Sequence, residues 1–250
     1  MKPVCSLLVV LLILTGCNAQ LPRADASGAA RQTGVAVQRI SKTNAETEFR
    51  FYNEPEEDIQ PVFSVSSLPD EVAGLITGSS WTQESPVSLE ELSYVTVTYI
   101  NFDGEACTGH LIVHRSLGQE LADIFQELYE AKFPIQGIGL VDVYGADDLQ
   151  SMEANNTYAF CSRLILGTQR YSKHSYGIAI DINPVQNPYL SGGQVLPEEG
   201  QAYLDRENVR PGMITSGDAC YNAFVSRGWI WGGHWASPDY QHFEKVLSQA

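Results

Sequence analysis

The chain has 250 residues, 44% of them hydrophobic and 18% charged, so it can bury a core and is not disordered by composition. Lys and Arg number 15 against 30 Asp and Glu, a formal net charge of -15. A nucleic-acid binder needs a positive surface to neutralise phosphate, so nucleic acid is excluded as a partner. An acidic surface is also repelled by anionic membranes, so membrane attachment would have to be covalent or by insertion.

The N-terminus offers such an attachment. Lys2 is the only charge before Arg23, and the apolar run Val4 to Leu14 is shorter than the ~20 residues a spanning helix needs. Residues 1–16 suit a secretory signal. The run ends in Leu14-Thr15-Gly16-Cys17, which resembles a bacterial lipobox. That resemblance implies that Cys17 is lipidated and anchors the chain to a membrane, facing out of the cytoplasm in the cell envelope. Residues 17–60, with the acidic run Glu54, Glu56, Glu57 and Asp58, lack a sustained helix or strand pattern and read as a flexible tether. A folded domain is expected over 61–250. Cys107, Cys161 and Cys220 then remain, an odd number that permits at most one disulfide. The absence of any CxxC pair argues against a thiolate zinc site.

Within the domain, Leu68 to Val72 opens a short helix with Leu75 and Ile76 on its apolar side. Tyr94 to Ile100 and Gly109 to His114 alternate with period two around Asn101-Phe102-Asp103-Gly104, which predicts a hairpin. Ser116 and Gln119 read as a capping box for a helix carrying Leu117, Leu121, Ile124, Phe125, Leu128 and Tyr129 up to Pro134. Ile138 to Tyr144 is expected as a strand and Asp147 to Ala154 as a polar helix. Tyr158 to Leu166 and Gly177 to Asn183 read as strands. Asp218 caps a helix that Gly228 stops, and Trp229 to Trp231 and Gln241 to Val246 are the last strands. Helices and strands mix without βαβ alternation, which predicts an α+β domain with an antiparallel sheet and flanking helices.

Two segments carry the candidate chemistry: Ser172-Lys173-His174-Ser175-Tyr176-Gly177-Ile178-Ala179-Ile180-Asp181-Ile182-Asn183, and Asp239-Tyr240-Gln241-His242-Phe243-Glu244. On a strand, Gly177, Ala179 and Asp181 share one face, while Ile178, Ile180 and Ile182 share the other and belong in a core. Small residues leave open space beside the carboxylate, and His174 enters over the same face. His242 and Glu244 share a second face, with Phe243 turned to the core. Two imidazoles and one carboxylate suit Zn²⁺ with a fourth position open. A further carboxylate, such as Asp239, would then serve as general acid/base. The same spacing also fits a hydrogen-bonded loop histidine and a turn-capping aspartate.

These segments resemble the SxHxxGxAxDxN and (D/E)xxH motifs of the VanY-like D-alanyl-D-alanine carboxypeptidase family of zinc peptidases. Phe133-Pro134-Ile135, Asn155-Asn156-Thr157, Asn183-Pro184, Asn187-Pro188-Tyr189 and Gly228 to Trp235 resemble one branch of it. The resemblance runs from about Pro61 to Val246. It implies a Hedgehog/DD-peptidase-like fold and hydrolysis of peptidoglycan stem peptides by a monomer. His174, Asp181 and His242 fall on the ligand positions of one Zn²⁺, Asp239 on the acid/base, and Arg163 on the arginine that steadies the scissile carbonyl. Around Arg163 the flanking residues Phe160-Cys161-Ser162 depart from the family's Gly-Tyr-Arg pattern. Members that trim D-Ala-D-Ala usually carry Glu where Asp239 stands, and endopeptidases cutting L-alanyl-D-glutamate often carry Asp. The alternative is a non-catalytic metal-containing module of the same fold that binds cell wall or a protein. Of the other candidates, His110 and His114 are expected to face solvent. His234 could be a second donor near the site. Glu244 could hold the tautomer of His242, and Ser172 could orient His174. Of the four tryptophans, at least two are expected in the core.

Overall fold

The computed structural model describes residues 60–165 and 167–247. The signal segment, Cys17 and the tether up to residue 59 lie outside the described residues. Strand β1 (Phe63–Ser67), which the sequence reading missed, pairs antiparallel with β2 (Leu92–Ile100), and β2 with β3 (Ala106–His114). The β2–β3 turn forms because the Asn101 side-chain oxygen accepts the N–H groups of Asp103 and Glu105 and Gly104 supplies a φ of 82°. Between β1 and β2 lies helix α1 (Asp70–Ile76), which buries Val72 and Ile76 against Leu92, Ile112 and Phe160.

Helix α2 (Gly118–Glu130) lays Leu121, Ile124, Phe125 and Leu128 onto the inner face of this sheet, against Val95, Val97, Leu111 and Val113. The expected capping box is not formed. Helix α2 begins at Gly118 with no side-chain cap. Ser116 Oγ is instead 2.7 Å from His114 Nδ1, and Gln119 donates to Asp123. The start is set by packing: a Cβ on Gly118 would lie 2.7 Å from a Val65 methyl.

Residues Ile138 to Tyr144 do not form a strand. Ile138 makes one bridge to Thr157, and Val141–Tyr144 is a 3-10 helix closed by Gly145 at φ 68°. Asp142, reaching back to the N–H and hydroxyl of Ser80, holds it there; a short apolar run by itself fits either state. Helix α3 (Asp148–Glu153) follows, and Asp147 caps it by accepting the Gln150 N–H. Residues Tyr158 to Ile165 are extended but make only isolated bridges, Tyr158 to Asp181 and Leu164 to Tyr171; Leu166 lies outside the described residues.

A second antiparallel sheet has the order β4 (Ala179–Asp181), β8 (His242–Glu244), β7 (Ile230–Trp231). The hairpin β5 (Tyr189–Ser191) and β6 (Gln194–Leu196) was not anticipated. Helix α4 (Ala219–Val225), capped by Asp218, backs β8. Phe224 stacks on Phe243 with centroids 4.3 Å apart, and Ile180, Ile182 and Phe243 merge with the α2 core. Buried amides stitch the loops between the two sheets. Asn183 accepts the Gln136 N–H and donates to the carbonyls of Pro134 and Gly212. Asn187 accepts the Ile214 N–H, and Asn155 accepts the Val185 N–H. The architecture is α+β, as the element pattern predicts. Cys107, Cys161 and Cys220 are all buried, and Cys161 and Cys220 are free thiols.

Candidate metal centre

Each side chain of the centre is placed by local structure that the sequence dictates. Ser172 caps a 3-10 turn over Lys173–Tyr176 by accepting the His174 N–H. Gly177 ends it in the left-handed region at φ 65° and lies against β3. Its carbonyl accepts the His114 N–H at 2.9 Å, and a Cβ there would stand 2.4 Å from that nitrogen. The chain then enters β4, where Asp181 is the direct cross-strand partner of His242 on β8, and Ala179 that of Glu244. The register therefore puts a carboxylate and an imidazole side by side, with the 3-10 turn delivering His174 to the same face.

All three side chains are buried: His174 1%, Asp181 3% and His242 7% exposed. Asp181 stands 2.8 Å from His242 Nδ1 and 3.2 Å from His174 Nε2, and the two ring nitrogens are 3.3 Å apart. Burial favours the neutral form of Asp181, but the two imidazoles override it and hold the carboxyl far below the usual range. Burial likewise opposes charge on His242. Its hydrogen bonds to Asp181 and Glu244 prevail and hold the imidazole at about 10. The outer nitrogens have partners too. His174 Nδ1 meets the Ala159 carbonyl at 2.6 Å, and His242 Nε2 lies 3.5 Å from Glu244. With Nδ1–H donating to that carbonyl, His174 turns the lone pair of Nε2 inward. The three inward atoms could hold a metal ion.

Asp239 sits on the turn before β8. Its N–H donates to the Gly232 carbonyl at 3.0 Å, and a Cβ on Gly232 would press on the Asp239 backbone at 2.7 Å, so the Gly232-Gly233 turn sets its position. Its Oδ1 is buried and has no hydrogen-bond partner among the described residues. Burial, with the negative charge of Asp181 adding to it, raises the carboxyl to about 7 against the opposing pull of His242.

Residues 166–245 match the family model described as D-alanyl-D-alanine carboxypeptidase. This stretch holds His174, Asp181, Asp239 and His242 and is shorter than the span of the sequence resemblance. Arg163 lies just before it. No curated protein and no solved structure matches the chain.

Arg163 pairs with Asp148 at 2.8 Å, and its Nη2 is 3.4 Å from the Tyr158 hydroxyl. Tyr158, which sequence reasoning did not single out, stacks on His174 with centroids 5.0 Å apart. His110 is half-buried rather than fully solvent-facing: it stacks on Tyr94 and bonds Thr96, and burial lowers it to about 4. His114 is half-buried beside Ser116. His234 is exposed and turns to Ser216 and the Trp231 ring. Trp229 and Trp231 are core residues. Trp81, Trp229 and Trp231 spend their indole N–H groups on Val87, Glu120 and Tyr240. Trp235 is 38% exposed, with its ring 5.4 Å from that of His242.

Proposed function

We propose that the chain is a zinc-dependent peptidase that hydrolyses peptidoglycan stem peptides. The observation that carries this reading is the convergence of His174 Nε2, the Asp181 carboxylate and His242 Nδ1, with Asp239, whose Oδ1 is buried without a hydrogen-bond partner among the described residues, close enough for its carboxyl to feel the charges of both Asp181 and His242. The donor set fits the metal: N and O ligands about 2.0–2.1 Å from a tetrahedral Zn²⁺ stand roughly 3.3 Å apart, and here the two ring nitrogens are 3.3 Å apart, with one Asp181 oxygen 2.8 Å from His242 Nδ1 and the other 3.2 Å from His174 Nε2. Bound there, zinc would supply Lewis acidity, polarising a carbonyl and acidifying water.

The chain's own residues account for the rest. Ala159 and Glu244 fix the two imidazoles. Asp239 takes a proton at Oδ1 from the attacking water and returns it to the leaving amine, and a carboxyl raised to about 7 is matched to both tasks near neutrality. Arg163 offers Nε, buried and without a partner among the described residues, to the oxygen of the scissile carbonyl. An aspartate rather than a glutamate at 239 favours L-alanyl-D-glutamate cleavage over trimming of D-Ala-D-Ala. A binding module would gain nothing from an acid desolvated beside the cage. The enzyme acts as a monomer held to the envelope through Cys17, and Cys17→Ser should move it from the membrane fraction to the soluble one.

The test is mass spectrometry of muropeptides digested by the zinc-loaded protein, which identifies the bond cut. Asp239→Asn should keep its zinc and lose about 10²–10⁴-fold in turnover. A loss under about threefold removes Asp239 as proton shuttle. A zinc-loaded parent that cleaves no muropeptide overturns the reading.

A further inference from the structure

We propose that Asp148 is a positioning residue that locks Arg163 in the attitude the reaction needs and ties it to the metal ligand His174 through Tyr158. The inference rests on the proposed peptidase reading for Arg163, and nothing in the family match reaches Asp148, Tyr158 or Arg163. It starts from one carboxylate doing two things. Asp148 Oδ1 accepts the hydroxyl of Tyr158, and Oδ2 pairs with Arg163 Nη2 at 2.8 Å. The same Nη2 reaches the Tyr158 oxygen at 3.4 Å, so the three groups close a triangle. The Tyr158 ring is 1% exposed and lies nearly parallel to His174, at 5.0 Å and 22°.

The backbone of Arg163 is tied to the same turn. Its N–H donates to Ser175 Oγ at 2.9 Å, and its carbonyl accepts the Ser172 N–H at 3.0 Å. Main chain and side chain of Arg163 are thus both referenced to the turn carrying His174. A long side chain gives up considerable rotamer entropy when fixed, and an exposed ion pair returns little. Here the pair is two-thirds shielded, with side-chain exposures of 30% and 28%, and is reinforced by the tyrosine. It occupies Nη2 and leaves Nε buried without a partner among the described residues. Asp148 therefore grips one corner of the guanidinium at Nη2 and leaves Nε for an incoming carbonyl. It can do so because Asp147, not Asp148, caps α3, which frees the Asp148 side chain.

Misplacement by about 1 Å of a group facing the reacting bond can cost on the order of 10²-fold. Asp148→Ala should accordingly lower kcat about 10–100-fold, with zinc content and thermal midpoint unchanged and KM within about threefold. Asp148→Asn, which keeps an acceptor for Tyr158 and loses the charge, should fall in between, and it serves if the alanine variant misfolds. Tyr158→Phe, which keeps the ring on His174, should cost a few-fold. The deciding measurement is the cycle with Arg163→Ala. In that background Asp148→Ala should change kcat by less than about twofold. A full multiplicative loss would show that Asp148 acts independently of Arg163 and overturns the proposal, as would an Asp148→Ala enzyme within about threefold of the parent. Nitrogen-15 NMR supplies a readout without turnover: the Arg163 Nε–H, assigned by its loss in Arg163→Ala, should exchange with water at least about tenfold faster in Asp148→Ala. An unchanged exchange rate overturns the clamp even if the parent cleaves stem peptides. If the parent binds zinc and cleaves nothing, the peptidase reading fails, and the NMR comparison still decides whether Asp148 holds Arg163.

Discussion

On the proposed reading zinc would compete with a proton for His242, which sets a measurable pH dependence. Asp181 at 2.8 Å and Glu244 at 3.5 Å hold a proton on the imidazole until about pH 10. Nδ1, the nitrogen facing Asp181, is also the inward donor, so a metal ion has to expel that proton before it can bind. At pH 7 the group lies about three units below its midpoint. At about 1.4 kcal/mol per unit the displacement costs roughly 4 kcal/mol, or about 10³ in affinity. The sign follows from a raised pKa: the proton is fully held at low pH and progressively lost towards pH 10, so zinc binding strengthens as pH rises. Asp181 stays ionised throughout, because its carboxyl is held far below the usual range, so it adds no second proton. Apparent zinc affinity should therefore rise about tenfold per pH unit from pH 6 to 8, with one proton released per ion. Competition with a chelator of known pH dependence measures the slope. Calorimetry in buffers of different ionisation enthalpy counts the proton. An affinity flat from pH 6 to 8 would refute the assignment of Nδ1 as the ligand atom on which the Asp181 carboxylate holds a proton.

Two further substitutions probe how the centre is held. Glu244→Ala should weaken zinc about 10–100-fold without unfolding the chain, and Glu244→Gln should weaken it less, both read by chelator competition. Gly177→Ala meets the left-handed φ of 65° and a Cβ 2.4 Å from the His114 nitrogen. It should destabilise the fold by on the order of 3 kcal/mol and shift the urea midpoint; parental stability would mean that β3 and the turn at residue 177 are not in contact.

Strand parity made much of the centre legible in the sequence. Ile178, Ile180 and Ile182 are buried in the core, so Asp181 faces the other way, and Phe243 fixes the side on which His242 emerges. The cross-strand step was not legible: Asp181 and His242 are separated by 60 intervening residues, and only the β4–β8 register makes them neighbours. Nor was the Ala159 carbonyl on His174, since any residue carries a carbonyl and its position depends on a backbone path. Tyr158 escaped notice for a related reason. It lies in a segment that reads as a strand, where parity assigns faces, yet the segment makes only isolated bridges, and its aim comes from Asp148 and His174. The motifs around Asn155, Asn183 and Asn187 resemble the peptidase family but satisfy loop backbones rather than touch the cage. Ser116 misled because its capping sequence is local, whereas α2 starts where Gly118 can approach β1.

Energetics point to chemistry at this centre. A buried carboxylate oxygen without a donor costs on the order of 1–3 kcal/mol or more, a large share of the net stability of a domain. The chain carries that cost at Asp239 Oδ1 while caps and carboxylates elsewhere are bonded: Asp147 takes the Gln150 N–H, Asp218 the Tyr221 N–H, and Asp142 the Ser80 N–H. The Gly232-Gly233 turn enforces the placement, since side chains at either glycine would collide with the Asp239 backbone or the Trp231 ring. Two glycines and an aspartate held with one oxygen buried and unpartnered, on the turn that leads into His242, would be a costly way to build a turn. They make sense where a proton has to be taken up and returned in a desolvated place, which is the task the peptidase reading gives to Asp239.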